Sequence, residues 1–256
     1  MILELDMGNT RSKWRLRQAG QYALENAADN AYNEGVANSL SELLDQFAQL
    51  PEPEQLRIAS VRKDESVQAV SRWCQDRWSL KPGLAVVSAS CSGVSNSYED
   101  PGRMGVDRWL ALLAAFNYAK SACIVVDAGT ALTIDAVDEA GKHLGGYILP
   151  GLSMMLDSLE NNTGIRLQKR QFDADVGLGT NTESAVLNGS LALAVALIEK
   201  TVSNLKAENS QLLVIMSGGD APLLQEALPE LLDIGVEIHP SLVLDGLALA
   251  DTVEAN

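Results

Sequence analysis

An apolar strand running into Asp-x-Gly and out into a second strand occurs twice in this 256-residue chain. Residues 2–5 lead into Asp6-Met7-Gly8-Asn9-Thr10, after which residues 12–17 alternate polar and apolar through Trp14 and Leu16. Residues 122–126 lead into Asp127-Ala128-Gly129-Thr130-Ala131, followed by Leu132, Ile134 and Ala136. The offset, 127 − 6 = 121 residues, is close to half the chain. A duplication of this kind predicts two related α/β lobes, each opening on a hairpin, and the length suffices for two domains.

A hairpin turn that begins Asp-x-Gly has a physical use at a nucleotide. Glycine lets backbone N–H groups approach phosphate oxygens, a threonine hydroxyl donates a hydrogen bond, and the aspartate holds a bridging cation. A third turn, Ser217-Gly218-Gly219-Asp220, lies between an apolar strand at 212–216 and a helix at 222–232, where a backbone without side chains can pass close to a purine or ribose. One such turn is ordinary hairpin chemistry. Two at half-chain spacing, with a Gly-Gly turn behind a third strand, favour a nucleotide between the lobes. The Walker and Gly-x-Gly-x-x-Gly patterns are absent, so this is neither a P-loop nor a dinucleotide-binding site of the βαβ kind.

Composition narrows the partners. The chain has 34 acidic and 19 basic residues, a formal charge of −15 that repels nucleic acid and anionic lipid. No uninterrupted apolar run approaches the roughly 18 residues of a membrane span, and the acidic start through Glu4 and Asp6 lacks a signal peptide's basic region. A cytoplasmic protein with neither nucleic-acid nor membrane partners is the expectation. Cys74, Cys91 and Cys123 have no metal-ligand spacing, and His143 and His239 are the only histidines, so no zinc site is expected and proton transfer falls to a carboxylate.

Between the motifs the pattern alternates. A helix is predicted over 31–50 from Val36, Leu40, Leu43, Leu44 and Phe47, stopped by Pro51 and Pro53. A strand at 56–61, a helix at 64–78 and a strand at 84–87 follow, then a polar loop over 88–102. Asp107 precedes an apolar helix through 109–116. Later come a strand at 144–148, a helix through Met154, Met155 and Leu159, an irregular stretch at 160–181, a helix at 182–205, a strand near 236–238 and a helix at 242–252. Arg166, Lys169 and Arg170 make the irregular stretch the main local basic cluster, suited to covering a site or a partner subunit. Trp14, Trp73, Trp78, Trp109, Met154 and Met155 are expected in cores or at a lobe interface, since they sit within amphipathic patterns. The lobes are expected at 1–118 and 119–256.

Four segments together, Asp6-Met7-Gly8-Asn9-Thr10, Gly105-Val106-Asp107-Arg108, Asp127 to Thr133 and Gly145-Gly146-Tyr147-Ile148-Leu149-Pro150-Gly151, resemble type III pantothenate kinase in order and spacing. The resemblance implies two ribonuclease-H-like lobes of the actin, sugar kinase and heat-shock chaperone ATPase type, with a nucleotide cleft between them. It implies ATP-dependent phosphorylation of pantothenate in coenzyme A synthesis, by a homodimer using Mg2+ and a monovalent cation, K+ or NH4+. By the same resemblance Asp6, Met7, Gly8, Asn9, Thr10, Arg11, Ser12 and Lys13, with Thr130, bind ATP, and Asp6 faces magnesium. Asp107 is the proton acceptor, Asp127 the monovalent-cation ligand, and Tyr98, Gly105, Val106, Asp107, Arg108 and Thr182 form the pantothenate site.

The chemistry is consistent with that. Phosphoryl transfer asks mainly for positioning and charge neutralisation, and a carboxylate at a helix start, where the dipole favours negative charge, can accept the hydroxyl proton. Asp107 and Thr182 equally suit helix capping, Arg108 a structural ion pair, Lys13 a solvated face and Tyr98 packing. Two other functions share these motifs: a kinase for another small hydroxyl metabolite, and a nucleotide-gated regulatory module, which has no need of Asp107, Arg108 and Tyr98 as base and acid pocket.

Overall fold

The computed structural model describes residues 1–18, 33–62, 65–206, 211–228 and 234–255. The chain divides into two units, Met1–Tyr118 with Ser241–Asn256, and Ala119–Pro240.

The first unit is built on a six-stranded sheet. β1 (Ile2–Met7) pairs antiparallel with β2 (Ser12–Arg17), and β2 with β3 (Asn33–Ala37). On its other edge β1 pairs in parallel with β4 (Gln55–Ser60), β4 with β5 (Gly83–Ala85), and β5 closes antiparallel on β13 (Thr252–Glu254). Period-two alternation sends Leu3, Leu5 and Met7 to one face, with Trp14 and Leu16 from β2. There they pack with Leu43 and Phe47 of α1 (Leu40–Phe47) and with Val70, Cys74 and Trp78 of α2 (Ser66–Trp78). Rings reinforce this core, with Trp14 and Phe47 edge to face at 6.0 Å and Trp73 and Trp78 at 4.9 Å. On the opposite face Ala59 of β4 packs with Leu110 of α3 (Val106–Ala119) and with Leu244 and Leu247 of α7 (Leu242–Leu247).

The second unit repeats the arrangement. β8 (Ala122–Ala128) pairs antiparallel with β9 (Ala131–Val137), β9 antiparallel with β10 (His143–Pro150), β8 in parallel with β11 (Leu212–Ser217), and β11 in parallel with β12 (Gly235–Ile238). Sheet order β10-β9-β8-β11-β12 therefore matches β3-β2-β1-β4-β5 strand for strand and direction for direction. The two Asp-x-Gly turns occupy equivalent places in the duplicated sheets. Its core joins Ile124, Val126, Leu132, Ile134, Val214 and Met216 to Leu191, Ala194, Ile198 and Val202 of α5 (Thr182–Lys206), and to Leu152 of α4 (Leu152–Asn162) and Leu224 of α6 (Ala221–Glu226). Among the described residues α5 is the one helix long and apolar enough to cross a membrane by length and composition, and that apolar stripe is the one used in this core.

Several expectations are corrected. The helix over 31–50 is a strand followed by a shorter helix, with residues 31 and 32 outside the described set. Val36 falls at helical spacing by coincidence and stands 45% exposed on the edge strand β3. Ser39 starts α1 instead, its hydroxyl accepting from Glu42 N. The loop over 88–102 contains a small hairpin, β6 (Ser90–Cys91) with β7 (Val94–Ser95). The helix over 242–252 stops at Leu247, and the chain then extends as β13 onto β5. That pairing is why 241–256, expected in the second lobe, packs with the first unit. Met154, expected in a core, is 43% exposed on α4. Residue 64 of the expected helix 64–78 and residues 229–232 of the helix 222–232 lie outside the described residues.

Candidate active site

In the first unit the β1–β2 hairpin sets Asp6 directly across from Lys13 and Met7 across from Ser12. Both Asp6 and Lys13 are half-buried, while Asn9, Thr10 and Arg11 are exposed at the turn. The Met7 side chain belongs to the core, so only its backbone faces the turn. Arg62, which follows β4, braces the turn: its Nε donates to Gly8 O at 2.7 Å and its guanidinium reaches Ser12 Oγ at 3.5 Å. Arg62 lies outside the Asp-x-Gly motifs. Its signal was a cationic residue just past the strand that pairs with β1.

α3 supplies the second cluster. It begins at Val106, with Trp109 N donating to Gly105 O at 3.1 Å, so Asp107 lies in the first turn without being the cap. Asp107 Oδ1 accepts from Arg108 N at 2.8 Å. Gly105 makes room for that carboxylate, since a Cβ there would stand 2.6 Å from Asp107 Oδ1. Ala59, the register partner of Asp6, packs with Leu110, one helical turn beyond Asp107. The start of α3 therefore shares a sheet face with Asp6. Arg108 is buried, and its NH1 donates to the Tyr98 hydroxyl at 2.8 Å with the guanidinium carbon 5.8 Å from the ring centre. Asn96 shapes this loop, its Oδ1 accepting from Tyr98 N at 2.9 Å, and its Nδ2 is a buried donor without a partner. It too was missed, because an Asn in a polar loop reads as solvent-facing.

In the second unit three turns interlock. Asp127, on β8, sits beside Ser217 of β11 and accepts its hydroxyl at 2.9 Å. Thr130 is exposed, its carbonyl accepting from Gly151 N at 3.0 Å, and Asp220 N donates to Ala128 O at 3.0 Å. Gly218 permits this approach: its φ is +93°, and a Cβ would stand 2.7 Å from Ala128 N. Partial burial raises the Asp220 carboxyl above its ordinary value. Thr182 is the exposed first residue of α5, and the capping role open to it belongs to Asn181, whose Oδ1 accepts from Ser184 N at 2.9 Å. The irregular stretch before α5 is tied down, Glu183 Oε1 accepting from Gln168 N at 2.5 Å and Lys169 N at 2.7 Å. Arg170, from its basic cluster, pairs with Asp157.

No group of three or more His, Cys, Asp or Glu able to hold a metal occurs among the described residues. Each unit instead offers one carboxylate near the end of its first strand, Asp6 and Asp127. A divalent ion carried on a polyphosphate keeps most of its ligands as phosphate and water oxygens and needs as little as one protein carboxylate, which Asp6 alone can supply.

A sequence model of type III pantothenate kinase matches residues 2–204. The type III pantothenate kinase of Pseudomonas savastanoi pv. phaseolicola is 36% identical over 258 residues, covering 98% of each chain. Among solved structures, a Campylobacter jejuni protein provisionally described as a Baf family transcriptional activator superposes with a TM-score of 0.58 at 20% identity, over 96% of this chain and 95% of that one. A Sinorhizobium meliloti protein provisionally described as a 2-dehydro-3-deoxygalactonokinase gives 0.54 at 12% identity, over 97% of each. These likenesses show a shared fold, the duplicated α/β arrangement described above.

Proposed function

The chain belongs to the type III pantothenate kinase family, and from that premise we propose how its residues divide the work. The protein phosphorylates pantothenate with ATP, the entry step of coenzyme A synthesis, and uses a divalent metal with the nucleotide. Asp107 accepts the proton of the primary hydroxyl as the phosphoryl group arrives. The proton leaves late in a loose transition state, so a carboxylate held in place suffices and no stronger base is needed. The observation that carries this reading is the first-turn carboxylate of α3 beside the buried Arg108, which donates to the half-buried Tyr98.

Arg108, Tyr98, Gly105 and Val106 hold pantothenate, with the guanidinium opposite its carboxylate. Thr182, exposed at the start of α5, is a further substrate contact. The turn from Asp6 to Lys13 takes the ATP phosphates, Lys13 as a point charge and residues 8–11 through backbone N–H groups, and Thr130 adds a hydroxyl. Asp6 would hold Mg2+, whose chemistry is to neutralise charge building on the phosphates. Asp127, beside the Ser217 hydroxyl, would hold K+ or NH4+, a cation suited to all-oxygen surroundings. Free thiols at Cys74, Cys91 and Cys123 accord with a cytoplasmic place of action. The molecule acts as a homodimer through the edge strand β10, where Leu144, Tyr147 and Ile148 are 46%, 47% and 64% exposed. Sedimentation as a monomer at assay concentration would contradict the dimer.

The test is pantothenate-dependent ADP release with Mg2+, run in K+ and in Na+, with mass spectrometry for phosphopantothenate. Asp107→Asn is expected to abolish turnover while ATP still binds. Full turnover by the variant would remove Asp107 from the mechanism, and equal rates in the two salts would remove the selective monovalent site.

A further inference from the structure

Most of the charged face of the β1–β2 hairpin is buried. Alternation places Glu4 and Asp6 on one side of β1, and Lys13, Arg15 and Arg17 on the same side of β2. Such a row ordinarily faces water, yet Glu4 is 0% exposed, Arg15 3% and Arg17 4%. Glu4 accepts from Arg15 Nε at 2.6 Å and from Arg17 Nε and NH2 at 2.9 and 2.8 Å. The second carboxylate comes from the far end of the chain: Arg15 NH1 pairs with Asp245 of α7, and its NH2 donates to Leu244 O at 2.8 Å. Two carboxylates thus face two guanidiniums. Burial pulls the Arg15 pKa down, and Glu4 and Asp245 more than reverse that, raising it.

The residue after Asp245 reaches in another direction. Gly246 lies so close to α3 that a Cβ would stand 2.5 Å from the Leu110 carbonyl carbon and 2.8 Å from its Cα. No other side chain fits there without pushing α3 away. A third tie runs to the sheet, where Arg57 NH1 of β4 donates to Leu247 O at 3.1 Å and Ala248 O at 3.2 Å.

We propose that α7 is a clasp that fixes the β1–β2 hairpin against α3 for phosphoryl transfer, with Asp245 and Gly246 as its positioning residues. This rests on the functional reading above for the roles of Asp6, Lys13 and Asp107. Asp6 and Lys13 lie one side-chain repeat along their strands from Glu4 and Arg15, and Asp107 lies one turn before Leu110. The six-residue helix therefore grips both elements within one repeat of the groups that must meet the phosphate and the hydroxyl. A buried ion network is seldom more stabilising than apolar packing would be, but it accepts only one arrangement of its partners. Positioning of reacting groups is sensitive to shifts of that kind.

The experiment uses the full-length protein with Asp245→Asn, Gly246→Ala and the pair Arg15→Met with Asp245→Asn. The pair restores charge balance around Glu4 and Arg17 without restoring the clasp. For Asp245→Asn and Gly246→Ala, kcat is expected to fall about tenfold or more while KM for ATP and for pantothenate stays within about threefold. In the paired variant Tm is expected to recover while kcat stays low. Amide exchange, which needs no activity, is expected to quicken in residues 2–17 and 106–119 together and to stay unchanged in β8 and β11. Recovery of kcat along with Tm, or faster exchange confined to 241–255, overturns the clasp. Should Asp245→Asn not fold, Arg57→Gln loosens the same helix more gently and is expected to move exchange in both elements the same way. A wild-type protein that makes no phosphopantothenate would defeat the functional reading, and the exchange pattern would still decide the clasp.

Discussion

Asp220 carries a cost that pH reveals. Burial raises its carboxyl, so the folded chain binds that proton more tightly than the unfolded chain does. Its stabilising share is complete below the ordinary carboxylate range and is lost as pH rises through the raised value. Asp220→Asn keeps the backbone bond from Asp220 N to Ala128 O and removes the charge. The variant is expected to melt above wild type at about pH 7, with the difference shrinking toward zero as pH falls below about 3, under the ordinary aspartate value. Melts showing no gain at neutral pH would contradict this. Residues of this sort divide in legibility. Asp6 and Asp127 were readable because Asp-x-Gly has few other reasons to recur behind two strands. Glu4, Arg15 and Arg17 were not, since a polar face in an alternating strand looks solvated whether water or a second set of charges covers it.

At the scale of elements, the difference between the predicted helix over 31–50 and the strand and helix found there turns on Ser39. Its hydroxyl accepts from Glu42 N at 3.2 Å, and Glu42 Oε2 accepts from Asn38 N at 2.8 Å, a capping box across one residue more than the usual span. Ser39→Ala should destabilise the first unit by about 1 kcal/mol, read as a lower urea midpoint with unchanged slope. A midpoint equal to wild type would mean that packing of Leu43 and Phe47 alone starts the helix. The box was present in the sequence, but the apolar spacing of Val36 and Leu40 outweighed it. Strands β1, β2, β8 and β9 were clear because each apolar run abuts a turn whose residues have a defined job. The small hairpin at Ser90 to Ser95 was hidden because two-residue strands have no period to detect. Likewise α7 and β13 read as one helix, because what separates them is a partner, β5, that lies far away in sequence.

For the whole molecule, the duplicated sheets were legible from the 121-residue offset, whereas the ownership of the last residues was not. Composition says how a segment folds and is silent on which sheet receives it. The chain's route has a consequence for the order in which the protein can be made. A ribosome delivers Ala119–Pro240 without interruption, so the second unit has all its residues once Pro240 emerges. The first unit then still lacks the edge strand β13 and the helix that neutralises Arg15. The unit that begins earlier in the chain is therefore completed later, and until α7 emerges Arg15 lacks one of its two carboxylates. A chain broken off between Pro240 and α7 would keep the later unit whole and leave the earlier one open along β5.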